Sequence, residues 1–452
     1  MSLNEEIQPR RSLSWHLLRL CVLFGFALVA ARGGLLNKNE GLDIASRDIF
    51  YRTFATLYPS IHSPKGAVVY IDEESLGPSR FWPMPYGRHS AAFDAMRRHN
   101  PAALFTDVTF IQLTDDPKGL ADMIGALRRL KADGTSLFLT SDATTAGTPS
   151  LRPELLALAR EGIVTLVSAA DMRSTPYDLN YSLHPDKAGL DAPALAIYKD
   201  YCQRRSNNEC SKLSGISQFE VWWGARKTAV NCAPTTDTTC HQVSAPWLRF
   251  ARLAWNSTFS HLQLPELDPI PDSYHPTIKL SNLLDGIATD LDKENIQGAT
   301  VFYTPKLNLL HNPVYTAVYG TNERRELLAV HYHAMAFDNL VALKHRLISN
   351  APIDHLTATQ TTAALIFLAY CMVLLAHAIF SVVGLSQPSR GFDAFIYICS
   401  LLALSFGAFL VIQMSPKYWM AAALAGTPWL LVDVTKYTHE KWMLFFHRRP
   451  RR

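Results

Sequence analysis

Gly66-Ala-Val-Val-Tyr-Ile-Asp72-Glu73, Tyr86-Gly-Arg-His-Ser-Ala-Ala-Phe-Asp-Ala-Met-Arg-Arg98 and Ala102-Ala-Leu-Phe-Thr-Asp-Val-Thr-Phe110 follow one another within 45 residues, and their reading decides the fold class. The first is a β-branched run that stops at acids. The second carries Ala92, Phe93 and Met96 at helical spacing and is stopped by Asn100-Pro101. The third is another short apolar run. Strand, helix, strand at this spacing predicts a βαβ unit with a right-handed crossover. Asp72 and Asp107 then stand near the carboxyl ends of parallel strands, where open α/β sheets place their ligand crevices.

Downstream the alternation continues. Thr114-Asp-Asp116 marks a helix start before Leu120–Leu127, and Thr135–Thr140 is a strand. Leu151–Ala159 is a helix, and Gly162–Ser168 a further strand. Thr277–Leu284 reads as a strand and turn, Gly298–Tyr303 as a short strand, and His331–Leu343 as a helix. Upstream, Gly41–Tyr58 is an amphipathic helix with Leu42, Ile44, Ile49, Phe50 and Phe54 on its buried side. This pattern predicts an α/β domain with a mixed or mainly parallel sheet and flanking helices.

The hydrophobic residues are unevenly spread along the 452 residues. Residues 15–33 hold one apolar block; residues 358–383, 394–414 and 418–435 hold three more, and the first of these three has no formal charge beyond Thr361. The expected organisation is a cytoplasmic segment 1–14, a first transmembrane helix 15–33, an exported domain 34–355, three transmembrane helices and a basic tail 436–452. Arg10 and Arg11 before the first block and the basic tail after the last agree in placing both termini in the cytoplasm. A cleaved signal peptide ending at Val29-Ala30-Ala31 is the rival reading of the first block. The bilayer is thus the first expected partner. The net charge of +4 gives no case for nucleic acid, and no aromatic-basic stripe suggests a groove binder.

Of seven cysteines, Cys21, Cys371 and Cys399 fall in the apolar blocks, and Cys202, Cys210, Cys232 and Cys240 in an irregular region, about 177–271. Four cysteines in an exported domain suit disulfides. Three connectivities are open, with the short loops Cys202–Cys210 and Cys232–Cys240 favoured. A four-cysteine zinc site is the rival, but it lacks Cys-x2-Cys spacing. No metal and no cofactor is expected.

Asp72, Glu73, Trp82, Arg88, Asp107, Asp115 and Asp116 are the candidate ligand-binding residues. Strand-end acids can orient a cationic or hydroxylated ligand or hold a divalent ion. The competing reading is that Asp72 and Asp107 cap helix starts or pair with Arg88, and that Trp82 packs over its loop. His331 and His333 are two apart and share a helix face poorly, so ordinary helix-start hydrogen bonds are expected of them. No Ser-His-Asp elbow, Walker loop or zincin motif occurs, so no catalytic residue is assigned.

Taken in order, Asp48-Ile-Phe-Tyr-Arg52, Val68-Val-Tyr-Ile-Asp72-Glu-Glu-Ser-Leu76, Trp82-Pro83 with Arg88-His89, Pro101–Phe110, Ile296–Tyr303 and His333-Ala-Met-Ala-Phe-Asp-Asn339 resemble the extracellular sensory CHASE domain of the second type, found in bacterial transmembrane receptors. The resemblance covers most of Leu42–Leu343. It implies a periplasmic sensor held in the bacterial inner membrane, with a homodimer as a possible assembly. Members usually carry a cytoplasmic kinase or cyclase. Here about 18 residues follow the last apolar block, too short for a domain, so the effector is expected to be a separate protein. The cysteine-rich middle departs from the family pattern. A docking subunit of an envelope complex is the alternative function, and a periplasmic hydrolase using the strand-end acids a third.

Overall fold

The computed structural model describes residues 54, 57–58, 64–78, 82–111, 116–143, 149–168, 180–184, 189–205, 213, 216–224, 274–307, 313–315, 326–343, 347–349, 355–383 and 390–412. Chain contacts divide it into two compact units, residues 51–350, and residues 1–50 with 351–452. The expected spans 15–33 and 418–435, most of the 41–58 helix, Asp115, Cys210, Cys232 and Cys240 lie outside the described residues. Phe54, from the expected buried side of that helix, is buried.

Unit 51–350 is built on a parallel sheet. Its strands are β1 (Gly66–Ile71), β2 (Ala103–Thr106), β3 (Ser136–Ala143), β5 (Thr165–Ser168), β8 (Thr277–Lys279) and β9 (Thr300–Pro305), in the order β5-β3-β2-β9-β1-β8. The short β4 (Pro149–Ser150) pairs antiparallel with the end of β3. Strands β1 and β2 of the βαβ unit share the parallel sheet but are not adjacent in it. Strand β9 lies between them, with Val68 opposite Phe302 and Leu104 opposite Val301. The reason is burial. Thr300–Thr304 is buried on both faces, and a strand with no solvent-facing side belongs in the middle of a covered sheet.

Helices cover both faces. On one lie α1 (Tyr86–Arg97), α2 (Pro117–Ala132), α3 (Pro153–Arg160) and the short α5 (Leu280–Leu284); α4 (Pro193–Arg204) and α7 (Val330–Leu343) cover the other, and α6 (Asp290–Ile296) precedes β9. The period of two along each strand decides which side chain goes where. Val69, Ile71, Leu104, Leu139, Val301 and Tyr303 enter one core with Phe93 and Met96 of α1 and Met123 and Leu127 of α2. Phe105 and Phe302 point the other way and meet ring to ring at 5.9 Å. Phe302 packs on Phe337 of α7, and Ser136 donates to Asp200 of α4 at 2.6 Å. Among the described residues the unit also holds two small antiparallel sheets: β6 (Asn180–Ser182) and β12 (Ile348–Ser349) on β7 (Gln218–Glu220), and β10 (Pro313–Tyr315) with β11 (Glu326–Leu328). The expected turn after β8 is a helical turn, α5, whose first-turn amide finds a carboxylate partner described below.

Helices α1 and α2 approach closely where glycine faces glycine. A Cβ on Gly119 would stand 1.9 Å from Asp116 Oδ2 and 2.7 Å from the Gly87 nitrogen. Asp116 caps α2, its Oδ1 accepting from the Gly119 amide at 2.7 Å. Gly119→Ala is therefore expected to lose the cap and push α1 outward. Set against the helix propensity alanine gains, the net cost is about 1–2 kcal/mol. A lowered thermal midpoint with unchanged far-UV circular dichroism is the expected observation.

In the second unit, α8 (His355–Val383) and α9 (Arg390–Ile412) pack as a helical pair. Leu365, Ile366, Ala369, Tyr370 and Val373 of α8 are buried at three- and four-residue spacing, as are Tyr397, Leu401, Leu402, Ser405 and Phe409 of α9. Among the described residues, no helix is long and apolar enough to cross a membrane; the described side chains of α8 fall in runs no longer than residues 363–376.

Candidate functional site

After the turn that follows β1, the chain reaches Trp82-Pro83 through a cis peptide bond and then enters α1 at Tyr86. Trp82, Met84, Tyr86 and His89 from this segment face Val108, Thr109 and Phe110, where the chain leaves β2. Between them lies a cavity of about 230 Å³, to which Pro83 and Asp107 also contribute. Its walls are rings: Tyr86 and Phe110 lie 6.2 Å apart, and His89 meets Phe110 edge to face at 5.0 Å. His89 Nδ1 is 3.1 Å from the Tyr303 hydroxyl. Burial holds the His89 pKa down to about 3, against a hydrogen bond to the Met84 backbone that works to raise it. The imidazole is therefore neutral at ordinary pH.

The six sequence-predicted residues that are described do not form one cluster, and Asp115 lies outside the described residues. Trp82 is half-buried, packed against the core, and lines the cavity. Asp107 reaches the same place, but its carboxyl belongs to the opposite face of the sheet. It shares parity with Phe105, and it accepts from the Thr304 hydroxyl at 3.1 Å, Thr304 sharing parity with Phe302. The residue keeps some solvent contact, yet its carboxyl is enclosed, and burial pushes its pKa up to about 7 against the Thr304 bond.

Asp72 is a structural anchor. It accepts from the Ser281 amide at 3.1 Å and from the hydroxyls of Ser281 and Ser75, tying the end of β1 to the start of α5. Burial works to raise its pKa, but the bonds from Ser281 and Ser75 prevail and hold it below the usual carboxylate value. Asp116 caps α2. The Arg88 guanidinium lies over Gly77, whose φ of +82° turns the chain there, and it has no carboxylate partner among the described residues. Glu73 is exposed. The competing structural reading thus describes Asp72, which meets the start of α5, while Trp82 and Asp107 line the cavity.

The sequence reading missed Tyr86, His89, Thr109 and Phe110 as wall residues. Only their adjacency to Trp82 and Asp107 could have signalled them. It also missed a buried polar centre on the other face of the sheet. Asp338 and Asn339 of α7 are fully buried. The Tyr58 hydroxyl donates to Asp338 Oδ1 at 3.0 Å, and His275 Nε2 stands 3.3 Å from Oδ2. His333 Nδ1 lies 2.9 Å from the Tyr181 hydroxyl, which also accepts from the Ala194 amide, so His333 does make the ordinary hydrogen bond expected of it. His331 is buried, and burial first, then His275 and Lys306, lowers its pKa to about 3. Among the described residues, no group of three or more histidine, cysteine or acidic side chains could hold a metal ion. Cys202 stands on α4, and the other three cysteines of the expected disulfides lie outside the described residues.

No curated protein and no solved structure matches the chain. A family model, the CHASE2 domain, matches residues 21–377, well over half of the sequence and the whole of the sheet, the cavity and α7. On that match this chain belongs to the CHASE2 domain family, a family of extracellular sensory domains.

Proposed function

We propose that this chain is a receptor-like protein of the bacterial inner membrane. Its CHASE2 domain faces the periplasm, takes a ligand in the cavity between α1 and the end of β2, and passes the event through its transmembrane helices to a separate effector. The observation that carries this reading is the cavity itself. It is ring-lined and partly open, and it sits at the carboxyl end of a parallel strand, where α/β sheets bind ligands. The absence of a catalytic motif in the sequence favours sensing over turnover.

Membrane passage is supported by sequence and side-chain exposure together. Residues 361–383 contain no Asp, Glu, Lys or Arg. In the sequence the apolar stretches 361–383 and 394–414 each reach the roughly 20 residues that a bilayer core requires. Phe367, Leu368, Met372, Leu375 and Ile379 are exposed on the α8–α9 pair, as lipid-facing residues would be. An oxidising compartment agrees with four cysteines gathered between the apolar blocks, and Cys202–Cys210 with Cys232–Cys240 remains the proposed pairing.

Periplasm-dependent reporter fusions at Cys232 are expected to be active, and fusions after Arg452 to report the cytosol. A cytosolic signal at Cys232 removes the reading. A second reading, a docking subunit of an envelope complex, draws on Ile287 and Leu291, apolar and 67% and 66% exposed. Purification with a stoichiometric protein partner bound there would favour it.

A further inference from the structure

We propose that the cavity at the end of β2 selects an uncharged ring compound, of the class that phenol represents, over organic cations and anions. This deepens the sensory reading and rests on it. The walls supply flat apolar surface: Trp82, Tyr86 and Phe110, with Met84 between. Such rings attract a cation weakly by their faces, and a selective cation site would add a carboxylate beside them. None stands there among the described residues. The one acidic residue of the wall, Asp107, bonds Thr304 on the far face of the sheet. A charge beside the wall is of the wrong sign for a cation: the Arg152 guanidinium lies 5.8 Å from the centre of the Tyr86 ring.

Nor is that guanidinium free to hold an anion. Arg152 donates twice to Glu154, at 3.2 and 3.0 Å, so its charge is already matched. His89 cannot substitute, because it is neutral and its Nδ1 is occupied by Tyr303. A charged ligand would give up part of its water in this partly open cavity without gaining a counter-charge, which costs it affinity. The polar handle we assign is Thr109, a partly exposed residue of the wall whose hydroxyl has no partner among the described residues and could donate to or accept from one ligand hydroxyl. One polar group set among apolar walls orients a ligand without charge.

Calorimetric titration of the full-length protein in nanodiscs at pH 7 compares phenol, benzoate and benzylamine, one ring with no charge, a negative and a positive charge. Phenol is expected to bind at least about tenfold more tightly than either. Thr109→Val, on a partly exposed residue, is expected to weaken phenol several-fold, and Trp82→Ala to abolish its preference, with thermal melts confirming the fold. Benzylamine or benzoate binding as tightly as phenol, and losing affinity in Trp82→Ala, overturns the proposed class and leaves the cavity as the sensory site. No binding by any of the three, or binding indifferent to both substitutions, overturns the proposal and removes the cavity from the sensory reading as well.

Discussion

Asn339→Leu is expected to lower the unfolding free energy of the sensory unit by about 3–5 kcal/mol. The two side chains are close in size, so no cavity term enters. What is lost is pairing. Asn339 is fully buried. Its Oδ1 accepts from the Trp222 amide at 2.8 Å, and its Nδ2 reaches the Trp222 carbonyl at 3.0 Å, the Met335 carbonyl at 2.8 Å and the Tyr58 hydroxyl at 3.2 Å. Trp222 belongs to the segment just after β7, and Asn339 stands in for a strand partner there by satisfying both main-chain groups. Leucine leaves those two groups buried and unpaired, at roughly 1–3 kcal/mol each. The Met335 carbonyl is affected less, since the helical amide of residue 339 still reaches it. A urea midpoint shift with an unchanged slope is the expected result. A shift under about 1 kcal/mol would mean that water takes over both groups.

The polarity of Asn339 is visible in the sequence; its burial is not. Between Phe337 and Leu340, an Asp-Asn pair reads as the solvent face of an amphipathic helix. It is buried because α7 carries β7 and the Tyr58 segment on the side opposite the sheet, and those partners lie 117 and 281 positions away. By contrast α1 was legible. Ala92, Phe93 and Met96 recur at the period of the helix they form, and all three are buried. Period alone could not order the strands, because the pattern of Thr300–Tyr303 says that it is covered on both faces and not by which neighbours.

The same limit explains the strand-end acids. An aspartate after a β-branched run looks alike whether it meets a ligand, a helix start or the far face of the sheet. Asp72 is decided by Ser281, 209 positions on, and Asp107 by Thr304, 197 positions on. The cavity was half legible, since Trp82 and Asp107 mark its rim. Its aromatic wall depended on how the Trp82 loop returns across the end of β2.

Asp107→Asn is expected to change how stability depends on pH, in a sense opposite to that of most carboxylates. The folded state holds the Asp107 proton up to about 7, above the ordinary 3.8 of an unfolded aspartate. The group's contribution is therefore fully present below about pH 4. It declines as pH rises, because the unfolded chain gives up its proton first, and it is gone once pH passes about 7. Asparagine keeps a neutral group next to Thr304 and cannot ionise, so the variant should match the parent near pH 4. At pH 8 it should be more stable by about 2–3 kcal/mol, less than full isolation from water would give because the residue keeps some solvent contact. His89 and His331, both held to about 3 by burial, give a slope of the opposite sign below about pH 6.5. Asp72, with its lowered pKa, also loses stability on the acid side. All three are common to parent and variant and cancel in the difference. Tyr181, a titratable group that feels Asp107, has its pKa raised chiefly by burial and stays neutral throughout. A difference curve flat from pH 4 to 8 would show that the Asp107 carboxyl reaches water, and would return it to the wall of the cavity as a charged group.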